Sequence, residues 1–219
     1  MKKMTGYVLG AILAMSMSAC GKQETGKTPT PTSSDATQNA VANEGKNNSS
    51  PAVGPLYSRD QPVNAAPLGL EVGYANLAGV KEKLGAVTRL EDKGINQYTN
   101  GVMLASNGEG VGVDGLSSLL LIFDKENVLA GVVMTLPKNT KDVFEKLSGK
   151  YKPVENRIDN FMNYGYARLE KGDSWVEVDS QHLSFEMDVR YLTKQLMADF
   201  KRQSAEDNAR KQQEQSDKL

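Results

Sequence analysis

Apolar side chains first recur at helical spacing near the middle of the chain. Leu77, Val80 and Leu84 share one helical face. Asn76 is a favourable N-cap, and Gly85 is a typical C-terminal stop. The pattern therefore predicts a short amphipathic helix between Asn76 and Gly85.

A second segment has the same character. Val143 and Leu147 are spaced for another helical face, with Asn139 or Thr140 as the cap and Gly149 as the stop. The two predicted helices also share letters, because residues 80–84 (VKEKL) match residues 143–147 (VFEKL) at an offset of 63 positions. The match predicts an internal repeat.

Strand-like segments follow the first helix. Uninterrupted apolar runs at 119–123 and 132–134 are typical of central strands that are covered on both faces. The polar residues 124–127 predict a turn between these runs. The predicted strands of this half cover residues 86–90, 96–105, 118–123 and 128–135.

Strand-like segments also follow the second helix. In the last of them apolar side chains alternate with polar ones, which predicts one buried face and one solvated face. The apolar members are Leu183, Phe185, Met187, Val189 and Tyr191. The predicted strands of this half cover residues 152–157, 164–169, 174–179 and 183–191, and Thr193 then opens a C-terminal helix packed through Leu196, Met197 and Phe200.

These elements predict an α+β fold. Two tandem units, each a helix followed by an antiparallel meander, would occupy residues 67–137 and 138–200 and pack into one body that ends in the C-terminal helix. Residues 20–66 are rich in Thr, Pro, Ser and Asn, with few large apolar side chains, which predicts a disordered linker. Residues 201–219 are polar throughout, which predicts a helical or disordered tail.

This order of elements resembles two families. One is the small lipoprotein that assists outer-membrane barrel assembly, and the other is the β-lactamase inhibitor protein, built from two such units in tandem. In those families a Gly-Met-Thr type opening precedes the helix and Leu-Gly closes it; here Val72-Gly73-Tyr74 precedes it and Leu84-Gly85 closes it. No binding residue is carried over from either family.

The first residues have the three parts of a signal peptide, predicted over residues 1–19. Lys2 and Lys3 precede an apolar run at 8–15, and small or slim residues lead to Cys20, the single cysteine of the chain. The run is shorter than the ~20 residues that span a bilayer.

The segment Met17-Ser18-Ala19-Cys20 resembles the lipobox of bacterial lipoproteins, although that family usually places Leu where Met17 stands. The resemblance implies that Cys20 becomes the first residue of the mature chain. It would carry fatty acyl chains such as palmitate and anchor the protein in a membrane. Gly21 follows in place of the inner-membrane retention Asp, which implies the outer membrane, facing the periplasm.

Composition narrows the chemistry. With 26 basic and 27 acidic residues, and mixed charges in the tail, nothing favours a nucleic acid partner. His182 is the one histidine and has no cysteine or carboxylate spaced for a zinc site, so we predict no metal and no cofactor. No nucleophile is paired with a base, and we predict that the protein is not an enzyme.

Two segments are candidates for partner binding. Glycines alternate with other residues along most of 107–115. This glycine-rich loop, which contains Gly110 and Asp114, is predicted to reach a partner. It lacks the strand-then-helix setting of a dinucleotide site. Trp175, Glu177 and Asp179 alternate with two valines on one strand; if the valines point inward, these three are exposed together, as at many interfaces.

Two functional hypotheses follow. The first is an outer-membrane-anchored periplasmic lipoprotein that binds an envelope protein without catalysis, as an assembly factor, a secretion-complex component, or an inhibitor or immunity protein. The alternative is a small-ligand-binding protein, or an envelope enzyme acting on peptidoglycan or lipid, with a concave sheet as its pocket.

Overall fold

The computed structural model describes residues 54–159 and 161–217, in which three α-helices accompany one eight-stranded antiparallel sheet. The α+β class predicted from the sequence is therefore confirmed. The predicted signal peptide, Cys20 and the linker as far as residue 53 lie outside the described residues. The elements in chain order are α1 Leu77–Gly85, β1 Glu91–Ile95, β2 Asn100–Ser106, β3 Ser118–Asp124, β4 Leu129–Pro137, α2 Thr140–Ser148, β5 Lys152–Asp159, β6 Tyr164–Lys171, β7 Ser174–Ser180, β8 Glu186–Thr193 and α3 Lys194–Ser216.

The strand order across the sheet is β1-β2-β3-β4-β8-β7-β6-β5. Each strand pairs with its neighbours in sequence, except that β4 does not pair with β5. Instead β4 pairs with β8 in the centre, from Gly131 opposite Leu192 to Pro137 opposite Glu186. The antiparallel meanders β1–β4 and β5–β8 are thereby joined into one sheet. Its edges are β1 and β5.

The two sheet faces are covered by different helices. On the face that we call the helix face, Leu121, Val132 and Val178 are buried in one core cluster with α1 residues, and α2 packs against β5, β6 and β7. The opposite face, which we call the α3 face, buries Ile122 and Leu192 together with the first turns of α3. Leu119–Phe123 thus has apolar contacts on both sides, as its uninterrupted run predicts.

The packed body begins earlier than residue 67. Asn64 and Ala65 are buried, and the Glu71 carboxylate is buried where it accepts the backbone N–H groups of Arg59, Val63 and Asn64. Burial alone raises the pKa of Glu71, but these donors and the Arg59 guanidinium outweigh it and hold the pKa below its usual value. Residues 54–66 were predicted as linker because they have few apolar residues; the backbone hydrogen bonds that hold them leave no hydrophobic pattern.

One strand prediction is misplaced as a whole, and another is wrong at its start. β1 runs over Glu91–Ile95 and not over residues 86–90, and β8 begins at Glu186, so that Leu183 and Phe185 precede the strand and point into solvent. α3 continues through the predicted polar tail to Ser216, and its side chains beyond Phe200 are mostly exposed. No helix among the described residues is long and apolar enough to span a bilayer.

Candidate functional site

The predicted candidate residues on β7 lie on the α3 face of the sheet. Val176 and Val178 are fully buried in the core of the helix face, so Trp175, Glu177 and Asp179 point to the other side. Trp175 and Asp179 are half-buried, as expected for a partly open surface. Glu177 is different, because it is completely buried. The expectation that all three are exposed together is therefore wrong for Glu177.

Ion pairing explains how a carboxylate becomes buried on this face. Arg168 lies opposite Glu177 in the β6–β7 register and donates from Nε and Nη2 to Oε1 at 3.0 and 2.7 Å. The Tyr166 hydroxyl donates to the same oxygen at 2.6 Å. Burial, together with the negative charge of Glu177, raises the pKa of Tyr166, which keeps it a donor.

A second ion-paired group lies beside the first. The Arg190 guanidinium donates from Nη1 to Asp179 at 3.0 Å and from Nη2 to Asp188 at 2.8 Å. Asp188 also accepts from the Thr135 hydroxyl at 3.0 Å. Burial alone lowers the pKa of Arg190, but its hydrogen bonds and the charges of both aspartates outweigh it and raise the pKa. We call the side chains of these two groups the polar strip: Tyr166, Arg168, Glu177, Asp179, Asp188 and Arg190.

Both carboxylates on β7 pair with guanidinium groups. Glu177 pairs through Oε1 with Arg168, and Asp179 pairs with Arg190. The second oxygen of Glu177, Oε2, is buried and has no hydrogen-bond partner among the described residues. Trp175 closes one end of the strip, with Arg168 at 5.3 Å and Lys194 at 4.9 Å from its ring centre. This surface therefore combines ion-paired charges with an aromatic ring face.

The glycine-rich loop between β2 and β3 packs against the body. Gly110 has φ +80°, and a Cβ there would clash with the Val87 carbonyl oxygen, so only glycine fits. Val111 and Val113 pack on the core of the helix face, whereas Asp114 is exposed. The loop thus presents one predicted residue, Asp114, to solvent and uses the other, Gly110, for close backbone packing.

The sequence analysis missed a group of exposed apolar side chains. Phe161, Leu183 and Phe185 are 93%, 88% and 91% exposed, and Met162 is 46% exposed. They belong to the β5–β6 and β7–β8 loops, and we call these four side chains the apolar tips. Leu183 and Phe185 continue the alternation of β8, so the pattern assigned them to the core. Only one feature of the sequence could have indicated their exposure: β7 and β8 must be connected by a loop, and that loop has to include some of these residues.

The two tip loops are fixed next to each other. Lys138 donates to the carbonyl oxygens of Gln181 and His182, and the His182 ring packs edge-on against Tyr164 at 4.8 Å. On the other loop, the Asn163 carboxamide oxygen accepts the N–H of Lys141. Between the loops is a groove of about 530 Å³, lined by Pro137, Lys138, Met162, Asn163, Leu183 and Phe185.

The residues 54–159 and 161–217 contain no group of histidine, cysteine or carboxylate side chains that could hold a metal ion. Comparison with protein families, with curated proteins and with solved structures gives no match.

Proposed function

We propose that this chain is a non-catalytic protein-interaction module, anchored through acylated Cys20 in the outer membrane and facing the periplasm. The partner is another envelope protein. The observation that carries the proposal is the exposure of Phe161, Leu183 and Phe185 on two adjoining loops. Clustered large apolar side chains in water are typical of interaction sites, whereas scattered single ones are ordinary.

The energetics favour the apolar tips as the centre of the interface. Burying one Leu or Phe side chain contributes about 1.5–3 kcal/mol, so three of them provide a substantial fraction of a binding free energy. The polar strip lies on β6, β7 and β8, the strands that the tip loops join or precede, and supplies a charged rim. Since the loops are tied to Lys138 and Lys141, little ordering is needed on binding.

The proposal includes the two tandem units. Two observations support the tandem arrangement. One helix precedes each four-stranded meander, and the last strands of the two meanders pair with each other in the centre of the sheet. The shared letters at 80–84 and 143–147 fall in α1 and α2. The apolar tips belong to the second unit alone, so the two units have diverged in function.

Co-purification from solubilised envelopes tests the proposal. The test variant is Phe161→Ser/Leu183→Ser/Phe185→Ser, and the matched control is Ile95→Ser/Val154→Ser, which removes apolar side chains that are 62% and 50% exposed on the edge strands. We expect the wild type and the control to retain the same partner and the test variant to lose it. Equal recovery of that partner by the test variant would refute the role of the tips.

The same proteins distinguish a protein partner from a lipid surface. Flotation with phosphatidylethanolamine and phosphatidylglycerol vesicles is performed on the Cys20→Ser protein, which has no acylation site. If this protein floats with the vesicles only when the apolar tips are intact, and no protein partner is recovered, the tips bind the bilayer and not a protein. Mass spectrometry of the native N-terminus tests the anchor separately, and an unacylated Cys20 would remove it.

A further inference from the structure

A second cavity opens on the helix face, away from the polar strip. It has a volume of about 240 Å³ and lies between α2, the central strands β4 and β8, and residues 66–68. Val113 of the glycine-rich loop forms part of its wall. The lining is mainly apolar and includes Leu68, Met134, Leu136, Val143, Leu147 and Val189.

One polar group in this lining has no partner in the protein. Tyr191 is only 7% exposed, and its hydroxyl makes no hydrogen bond with any residue that the structure describes. Its ring packs edge-on against Tyr151 at 6.2 Å. Burial raises the pKa of Tyr191, so its hydroxyl stays protonated and is available as a donor. The Tyr191 hydroxyl is not among the buried side-chain atoms left without a partner, so it is accessible from the cavity, where an acceptor on a bound molecule can take its hydrogen bond.

The wall of the cavity also contains strained backbone. Leu68 has φ +55°, a left-handed conformation that a bulky residue rarely adopts. Such conformations persist only where the surrounding structure imposes them, and they are concentrated at ligand-binding and active sites. Here the strain positions the Leu68 side chain against the core beside the cavity.

We propose that this cavity binds a small, largely apolar molecule with a single oxygen-bearing head group. The head group accepts a hydrogen bond from the Tyr191 hydroxyl, and the hydrocarbon body contacts Leu136, Val143 and Leu147. The volume of about 240 Å³ suits a molecule of roughly eight to ten heavy atoms. Lys150 also lines the cavity, which favours a carboxylate as the head group.

This site does not depend on the proposed interaction module. The cavity involves none of the apolar tips and none of the polar strip, so its ligand and the envelope partner can be tested separately.

NMR titration of the full chain with Cys20→Ser tests the proposal. The probes are cyclohexanecarboxylate and cyclohexanemethanol, which share a body and differ in the head group. We expect saturable shifts at residues of α2, β4 and β8 with a Kd of about 0.1–1 mM for at least one probe. Tyr191→Phe should weaken that probe roughly 3–10-fold because it removes the donor. Tyr98→Phe, on the α3 face, is the control and should leave the Kd unchanged.

Filling the cavity provides an independent test. Val143→Trp places a large ring in the space and should abolish binding; Leu136→Phe is a second, smaller filling variant in case the first does not fold. Lys150→Met should weaken the binding of cyclohexanecarboxylate and leave the binding of cyclohexanemethanol unchanged. The opposite selectivity would assign an alcohol as the head group. Absence of saturable shifts with either probe at about 10 mM, or equal binding by a folded filling variant, would overturn the proposal.

Discussion

The polar strip and the apolar tips are neighbours along the chain, but their exposures are the reverse of what residue type suggests. Glu177 is completely buried on the sheet, whereas Phe185 is 91% exposed in the loop that precedes β8. The difference follows from partners: Glu177 has Arg168 and Tyr166 at hydrogen-bond distance, and Phe185 lies beyond the last strand pair that could bring a neighbour over it. Charge that is paired within the sheet stabilises the fold, whereas apolar surface left unpaired outside it is available to a partner.

The largest effect is expected for Glu177→Ala. Removing the carboxylate leaves the Arg168 guanidinium and the Tyr166 hydroxyl without their acceptor in a partly buried place, and we expect a loss of about 3–5 kcal/mol in the free energy of unfolding. Urea denaturation followed by circular dichroism measures it. Glu177→Gln, which retains an acceptor oxygen, should lose less. A loss below about 1 kcal/mol for Glu177→Ala would show that the strip contributes little to stability.

The apolar tips should behave in the opposite way. For Phe161→Ser/Leu183→Ser/Phe185→Ser we expect an unfolding free energy within about 0.5 kcal/mol per substitution of the wild type, because these side chains have few contacts to lose. Affinity for the envelope partner should fall by about 2–4 kcal/mol, measured by titration calorimetry once the partner is purified. If the triple variant lost much stability and kept its affinity for the partner, the apolar tips would contribute to folding and not to binding.

Glu71 sharpens the comparison, because this buried carboxylate is held by backbone N–H groups as well as by a side chain. Its pKa is below the unfolded value, so its contribution to stability is complete above the unfolded pKa and is lost as the pH falls through the folded pKa. Glu71→Gln should therefore cost about 1–3 kcal/mol at pH 7 and progressively less in acid. Urea denaturation of both proteins at several pH values between 7 and 3 checks this. A difference that is independent of pH would contradict the role of the charge.

The smallest effect is expected for Glu170→Ala. Glu170 pairs with Lys152 at 3.0 Å on the same face of the sheet, but the lysine side chain is 77% exposed. Water and salt screen such a pair, so we expect the free energy of unfolding, measured by urea denaturation, to change by no more than about 0.5 kcal/mol. This variant is the control for Glu177→Ala, and equal losses from the two would remove burial as the explanation.

The sequence predicted the parts of the fold that rest on local patterns. α1 and α2 begin and end within a residue or two of their predicted caps, and the buried run at 119–123 became β3. The alternation at 183–191 failed at its first members, because the period of two continues through Leu183 and Phe185 whether or not a partner strand reaches them. Residues 54–66 were misassigned because polar contacts hold them without an apolar signal: their backbone donates to Glu71, and the Asn64 carboxamide oxygen accepts the N–H of Asp173.

Part of the candidate site was also predictable. The period of two placed Trp175, Glu177 and Asp179 on one face, and the structure puts all three opposite the buried valines. What the sequence did not contain was the cross-strand register that sets Arg168 opposite Glu177 and Glu177 opposite Arg190. That register decides burial, because a carboxylate leaves water only where a donor is already in place.

By itself, the sequence determined the class of the fold, the helix ends and the alternation of faces, since these depend on residues a few positions apart. Only the tertiary structure decided which strands pair in the centre, which charges neutralise one another and which apolar side chains remain uncovered. These outcomes depend on contacts between residues far apart in the chain, and a local sequence pattern does not indicate which distant residues come together.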